Sequence, residues 1–181
     1  AGVLLLFLTW HSFQLSSNLA AFSSRILISE GIIFSAIALR YFASYSVVAL
    51  YALAWNLEII LAEIVGLTEA DFINLAVVNL LVGIAIQQVG NWRQKSKNIS
   101  LSWHWHLIPL LYGGFGTALR WETFSRSTGL LTLLLAIILL GIGRQRKQLK
   151  PLSYLALVGI SVSAYETLFY QFSVFYEGAI G

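Results

Sequence analysis

Cysteine and methionine are both absent from the 181 residues, and proline occurs only twice. Without cysteine the chain can form no disulfide, no zinc–thiolate site and no cysteine nucleophile. A natural reading frame begins with methionine, so we expect this chain to be an internal piece of a longer protein or a processed product. Charge is also scarce, because 10% of the residues are charged, whereas a soluble domain has roughly 25%. The chain therefore lacks an ordinary water-soluble surface.

Apolar residues take the place of the missing charge. They make up 58% of the chain, and the mean hydropathy is +0.78. A chain this short encloses too little volume to bury so much apolar surface, so the surplus must face lipid. No apolar run alternates with period two, so the spanning segments must be helices. The predicted fold is all-α: a polytopic transmembrane helical bundle forming a single domain over residues 1–181.

Six apolar runs are long enough to cross a hydrocarbon core, which takes about 20 helical residues. They lie at 26–42, 45–66, 72–90, 103–119, 128–143 and 152–175. A seventh run, at 1–15, is expected to be the remainder of a span that begins before residue 1. The weakest boundary is at 40–44, where two spans would meet in a very tight turn. The sequence therefore predicts six to seven spans.

The basic residues are divided unequally between the two sides of the membrane. If connectors alternate, one side holds eight: Arg40, Arg93, Lys95, Lys97, Arg144, Arg146, Lys147 and Lys150. The other side holds Arg25, Arg120 and Arg126. Short basic loops stay in the cytoplasm, so the connectors 91–102 and 144–151 are predicted to be cytoplasmic. The predicted partners are the bilayer and other transmembrane helices of the same or a partner chain, with no nucleic acid.

Ionisable residues inside the spans carry the most functional information, because a charge at a helix centre costs about 2.5 to 3.5 kcal/mol. Glu58 lies 13 residues after position 45 and Glu166 lies 14 after position 152. Their spans run in the same direction, so the two carboxyls are predicted at similar depth, where they meet if the helices are neighbours. Loss of water favours the neutral form, so at least one should be protonated. Other predicted functional residues are Asn56, Glu63, Asn79 and Tyr170.

The sequence indicates no catalytic residue, metal ligand or cofactor. His104 and His106 are two residues apart, which on a helix places them about 200° apart, whereas shared metal ligands need spacings of three or four. Interfacial anchoring is the favoured interpretation of this WHWH segment. All four lysines lie in connectors, which excludes a retinal-type Schiff base inside a span.

Glycines at 113, 114 and 116 follow Pro109 in the run at 103–119. Small residues let helices approach closely, and this packing role is the favoured interpretation. The alternative is a helix broken near Pro109, whose freed backbone carbonyls would face a substrate or an ion.

Four segments resemble stretches of large cyanobacterial multi-spanning membrane proteins of unknown function. They are AWNLEIILAE at 54–63, the segment at 103–113, PLSYLALVGIS at 151–161 and AYETLFYQ at 164–171. The family continues past the position of residue 181 with more spans, which agrees with a fragment. The resemblance implies no activity, cofactor or site residue, and places Glu58 and Glu166 inside recognisable stretches.

Two function classes stay open on the sequence, and a third, a cofactor-binding bundle, is disfavoured by the placement of the histidines. The first is a non-catalytic membrane module: a small-solute or proton-coupled transport unit, or a helix-packing or assembly domain. The second is an intramembrane enzyme acting on a lipid-linked substrate, with Glu58 or Glu166 as acid or base and His104 or His106 at the headgroup level. The connectors contain no clustered aspartates, which favours the first class.

Overall fold

A computed structural model describes residues 24–67, 72–97, 102–119, 124–145 and 147–180. Its α-helices are α1 (Ser24–Ser44), α2 (Val47–Leu67), α3 (Phe72–Lys97), α4 (His104–Ala118), α5 (Thr128–Gln145) and α6 (Lys150–Ile180), with a 3-10 turn at Lys147–Leu149. No strand occurs in these ranges. The predicted all-helical fold is confirmed for them.

Five of the helices are long and apolar enough to cross a membrane: Leu27–Ser44, Val47–Val65, Ile73–Ser96, Thr128–Gln145 and Lys150–Tyr176. The chain is therefore a multi-pass integral membrane protein. The run predicted at 103–119 does not qualify, since α4 has 15 residues and rises only about 22 Å. The predicted total of six to seven spans is not confirmed. The run at 1–15 lies outside the described residues.

The chain divides into two compact units, Ala1–Leu75 and Ala76–Gly181. The first unit contains α1 and α2 among its described residues, and the boundary falls near the start of α3. The second contains the rest of α3 together with α4, α5 and α6.

In the first unit, α1 and α2 form a helical hairpin with a two-residue turn. Tyr45 has a φ of 48°, and its N–H donates to the carbonyl of Tyr41 at 2.6 Å. This left-handed residue with a 5→1 hydrogen bond is a common way to end a helix, although glycine usually occupies it. The rings of Tyr41 and Tyr45 meet edge to face at 5.8 Å. The tight turn predicted at 40–44 lies at Tyr45–Ser46.

In the second unit, α4 runs back along α3. A methyl group at Gly116 would lie 2.9 Å from the carbonyl oxygen of Ala76, and one at Gly83 would lie 3.2 Å from that of Pro109. Low residue numbers on α4 therefore meet high numbers on α3, so the two helices are antiparallel. The helix α4 is continuous through Pro109, so the alternative of a broken helix is not seen. The close approach of Gly116 to α3 agrees with the favoured packing role.

The helix α5 runs parallel to α3. The side-chain amide of Gln87 donates to the carbonyl of Ile138 at 3.0 Å, and further along both helices Gln145 donates to the side-chain oxygen of Asn91. These bonds link the carboxyl-terminal ends of α3 and α5, and a buried Ile138 lies between the helices.

The helix α6 packs antiparallel along α5. A methyl group at Gly143 would lie 2.6 Å from the backbone nitrogen of Ser153, and one at Gly159 would lie 3.1 Å from the Ala136 side chain. The contact positions rise along one helix as they fall along the other. The four helices of this unit therefore alternate in direction, with glycines at their closest approaches.

Candidate functional site

Glu166 contacts the neighbouring helix through a threonine. The Thr132 hydroxyl lies 2.5 Å from a carboxyl oxygen of Glu166 and 3.2 Å from the carbonyl oxygen of Thr128. A hydroxyl carries one proton, so Thr132 cannot donate fully to both acceptors. The Thr132 proton is therefore shared between the Glu166 carboxyl oxygen and the more distant Thr128 carbonyl oxygen.

Beside this contact, α5 and α6 are joined by small polar residues. The Ser163 hydroxyl donates to the carbonyl of Gly129 at 2.6 Å, and the Thr167 hydroxyl donates to the carbonyl of Ser163 at 2.9 Å. A methyl group at Gly129 would lie 2.8 Å from the Ser163 carbonyl oxygen. We call Thr128, Gly129, Thr132, Ser163, Glu166 and Thr167 the polar ladder. Two of its bonds, from Ser163 to Gly129 and from Thr132 to Glu166, cross between the helices, and bonds of this kind hold transmembrane helices together.

Tyr170 lies one turn beyond Glu166 on α6 and is half-buried. Its ring centroid is 6.3 Å from that of Phe124, in a tilted arrangement. Phe124 also packs edge to face on Phe169 at 5.8 Å. These contacts place Tyr170 in an aromatic cluster with Phe124 and Phe169, which follows the polar ladder along α6.

The first unit contains a different kind of polar feature. Asn56, Ile59 and Glu63 are all buried, and their spacings of three and four place them on one face of α2. Glu30 on α1 lies 14 residues before the end of its helix at Ser44, and Glu63 lies 16 residues after Val47, so both are near the end of the hairpin away from its turn. Both carboxyl groups are therefore buried at the same end of the hairpin.

Two of these buried side chains have no hydrogen bond within the part of the chain that the structure describes. Neither carboxyl oxygen of Glu30 has a partner, and neither polar side-chain atom of Asn56 has one. Both residues are 0% exposed. An unsatisfied buried polar group costs roughly 1 to 3 kcal/mol, and a charged one costs more. Such groups call for an explanation, and a catalytic role or a bound ion or water is the usual one.

The structure therefore brings some predicted residues together and separates others. Asn56 and Glu63 share a face of α2, whereas the half-buried Glu58 lies about 200° round the helix from Asn56. The buried Asn79 packs against α4, where a methyl group at Gly116 would lie 3.3 Å from its Cβ. Glu58 and Glu166 belong to different units. The prediction that these two carboxyls meet stays a prediction.

Sequence reasoning missed Glu30 and Thr132. Glu30 is an acidic residue inside the apolar run at 26–42, and that signal was sufficient to single it out. Thr132 gave no comparable signal, because a threonine inside an apolar helix more often bonds to its own backbone.

The two histidines of the WHWH segment lie in the first turn of α4. His106 is buried and His104 is half-buried. Among the described residues, no three His, Cys, Asp or Glu side chains are grouped so that they could hold a metal ion. Next to them, the Arg93 guanidinium lies 5.4 Å from the centroid of the Trp105 ring, within the range of a cation–π interaction.

Comparison of the chain with known protein families, with curated proteins and with solved structures finds no match. The resemblance to cyanobacterial membrane proteins stays an expectation from the sequence.

Proposed function

We propose that the chain is a non-catalytic membrane module that works as a proton-coupled transport unit, with the carboxyl groups of Glu30 and Glu63 binding the proton. The observation that carries this proposal is the fully buried Glu30, whose carboxyl oxygens have no hydrogen-bond partner among the described residues. An ionisable residue kept inside a membrane span at such a cost points to function.

The pair has the chemistry of a reversible proton site. Where two carboxyl groups are buried near each other, repulsion between two negative charges favours the binding of one proton by the pair. Binding or releasing that proton changes the local charge by one. In a coupled transporter, this change of charge is what drives movement of the second substrate.

The location of the pair also suits proton exchange. Glu30 is the fourth residue of the span Leu27–Ser44 and Glu63 is the seventeenth of Val47–Val65, so both lie near one boundary of the hydrocarbon core. Asn56 is about 10 Å further towards the middle of the same helix face. Its amide offers both donors and an acceptor to a water molecule or a polar solute.

Orientation completes the proposal: the connectors 91–102 and 144–151 face the cytoplasm. The bond between Gln145 and Asn91 supports placing both on the same side, since it joins the ends of α3 and α5 from which these connectors start. The basic residues of the two connectors then follow the rule that short positive loops stay inside. Reporter fusions in the two connectors should give the same cytoplasmic signal.

The test is proton flux in reconstituted liposomes that contain a pH-sensitive dye, under an imposed membrane potential. We expect flux from the wild-type chain, and we expect Glu30→Gln and Glu63→Gln to reduce it to the level of empty liposomes. Glutamine keeps the shape and hydrogen bonding of the carboxyl group but cannot release a proton. Glu166→Gln is the matched control, because that carboxyl is already bonded to Thr132, and its flux should remain.

Two results would reject the proposal. One is wild-type flux equal to that of empty liposomes. The other is full flux in both hairpin variants, Glu30→Gln and Glu63→Gln.

A helix-packing or assembly domain is the second candidate function. The polar ladder favours it, because the described contacts of Glu166 and Ser163 there hold α5 against α6. Under this alternative, the wild-type chain and its glutamine variants all give the flux of empty liposomes, because adhesion needs hydrogen bonds and not proton release. The same liposome comparison therefore separates the two functions.

A further inference from the structure

Three helix ends meet at one end of the second unit. The bond from Gln145 to Asn91 joins the end of α5 to the end of α3. The close approach of Gly143 to Ser153 joins the end of α5 to the start of α6. Residues that are far apart in the sequence are therefore gathered at this end.

Basic side chains accumulate there. We call Arg93, Lys95, Arg144 and Lys150 the basic rim; the last three are exposed and Arg93 is half-buried. Between residues 91 and 165 the sequence has a single acidic residue, Glu122, which follows α4 and precedes α5 in the sequence. The basic rim is thus a positively charged surface.

Aromatic side chains mark the depth of the rim. Trp92 and Tyr154 are exposed at 67% and 69%, beside Arg93 on α3 and one turn after Lys150 on α6. Exposed tryptophan and tyrosine on transmembrane helices sit at the level of the lipid headgroups. The Arg93 guanidinium lies over the ring of Trp105. This contact keeps the positive charge of Arg93 at the depth of the headgroups.

We infer that the basic rim binds the phosphate groups of anionic phospholipids. Phosphate is the anion found at headgroup depth, and its charge complements the rim. Basic pockets between transmembrane helices on the cytoplasmic side are suited to such headgroups. An exposed lysine or arginine near a membrane surface contributes about fivefold to its attraction for anionic lipid. This inference concerns the second unit and does not depend on a proton site in the first.

The test measures which lipid the purified full chain retains. The chain is stripped of bound lipid and offered equal amounts of phosphatidylglycerol and phosphatidylcholine in mixed micelles, and native mass spectrometry counts the retained molecules. We expect phosphatidylglycerol to be retained in preference. The preference should fall when sodium chloride rises from about 0.01 M to about 1 M, because the screening length shortens from about 30 Å to about 3 Å.

A matched pair of variants locates the binding. Arg144→Gln removes an exposed charge at the rim end of α5, and Arg126→Gln removes an exposed charge just before the other end of the same helix. We expect Arg144→Gln to lower the preference about fivefold and Arg126→Gln to leave it unchanged. The triple variant Lys95→Gln, Arg144→Gln, Lys150→Gln should abolish it.

Three results would overturn the inference. The first is equal retention of the two lipids by the wild-type chain, which decides the matter even if a variant fails to fold. The second is an equal loss of preference in Arg126→Gln and Arg144→Gln. The third is displacement of phosphatidylglycerol by excess inorganic phosphate at constant ionic strength, which would show that the rim binds a free anion.

Discussion

Two regions of this apolar protein contain buried polar groups: the polar ladder between α5 and α6, and the buried face of the α1–α2 hairpin. They differ in whether those groups have hydrogen-bond partners. In the ladder, the Ser163 hydroxyl and the Glu166 carboxyl each have a partner on the facing helix. In the hairpin, the carboxyl of Glu30 and the amide of Asn56 are buried without hydrogen bonds among the described residues. Burial alone therefore does not distinguish the two regions, whereas the hydrogen bonds of their buried polar groups do.

The closest contact of the ladder gives the largest expected effect. Gly129→Ala would place a methyl group 2.8 Å from the Ser163 carbonyl oxygen, so the backbones of α5 and α6 must move apart. We expect the free energy of unfolding to fall by about 3 kcal/mol, measured by thermal unfolding in detergent. Gly114→Ala is the matched control, since nothing lies within 4 Å of its added methyl. A similar loss in both variants would contradict the close packing of α5 on α6.

Removing one partner of the ladder tests whether its bonds stabilise the protein. Thr132→Val keeps the shape of the side chain and removes the hydroxyl that contacts Glu166. We expect a loss of about 1 to 2 kcal/mol in unfolding free energy, because the carboxyl is left without this partner. Glu166→Gln should cost less, since an amide can still bond to Thr132. Equal stability of wild type and Thr132→Val would remove the basis of the comparison.

The hairpin should respond with the opposite sign. Glu30→Leu replaces a buried carboxyl that has no described hydrogen bond by an apolar side chain of similar size. We expect the free energy of unfolding to rise by about 1 kcal/mol, since an apolar residue pays no such desolvation cost. The same denaturation assay measures it. A protein that is less stable after this change would show that Glu30 holds the hairpin together, and the contrast with the ladder would disappear.

The sequence was sufficient to predict the helices but not the contacts between them. Length and hydropathy predicted the runs that became α1, α2, α3, α5 and α6, because a lipid-facing backbone must be helical. The run at 103–119 was expected to span, yet α4 has 15 residues. Apolar composition there reflects burial inside the second unit, where Ile108 and Tyr112 are buried, and composition cannot separate a protein environment from a lipid one.

The candidate site was predictable only in part, for a related reason. Asn56 and Glu63 were found because polar residues inside apolar runs are conspicuous, and their seven-residue separation predicts a shared face. The partner of Glu166 was not found, since pairing Thr132 with it requires the register of α6 against α5. That register is set by Gly129, Ala136 and Gly143, whose small size permits the close approach. Packing of this kind is a property of two helices together.

The short turn at Tyr45–Ser46 fixes the rotation of α2 about its own axis relative to α1. With only two residues between the helices, there is no slack in which an added residue could be absorbed. One inserted residue would turn α2 by about 100° relative to α1, which carries the face of Asn56 and Glu63 away from Glu30. The left-handed backbone of Tyr45 thus sets which side chains the two helices present to each other, about four turns away at Glu30 and about five at Glu63.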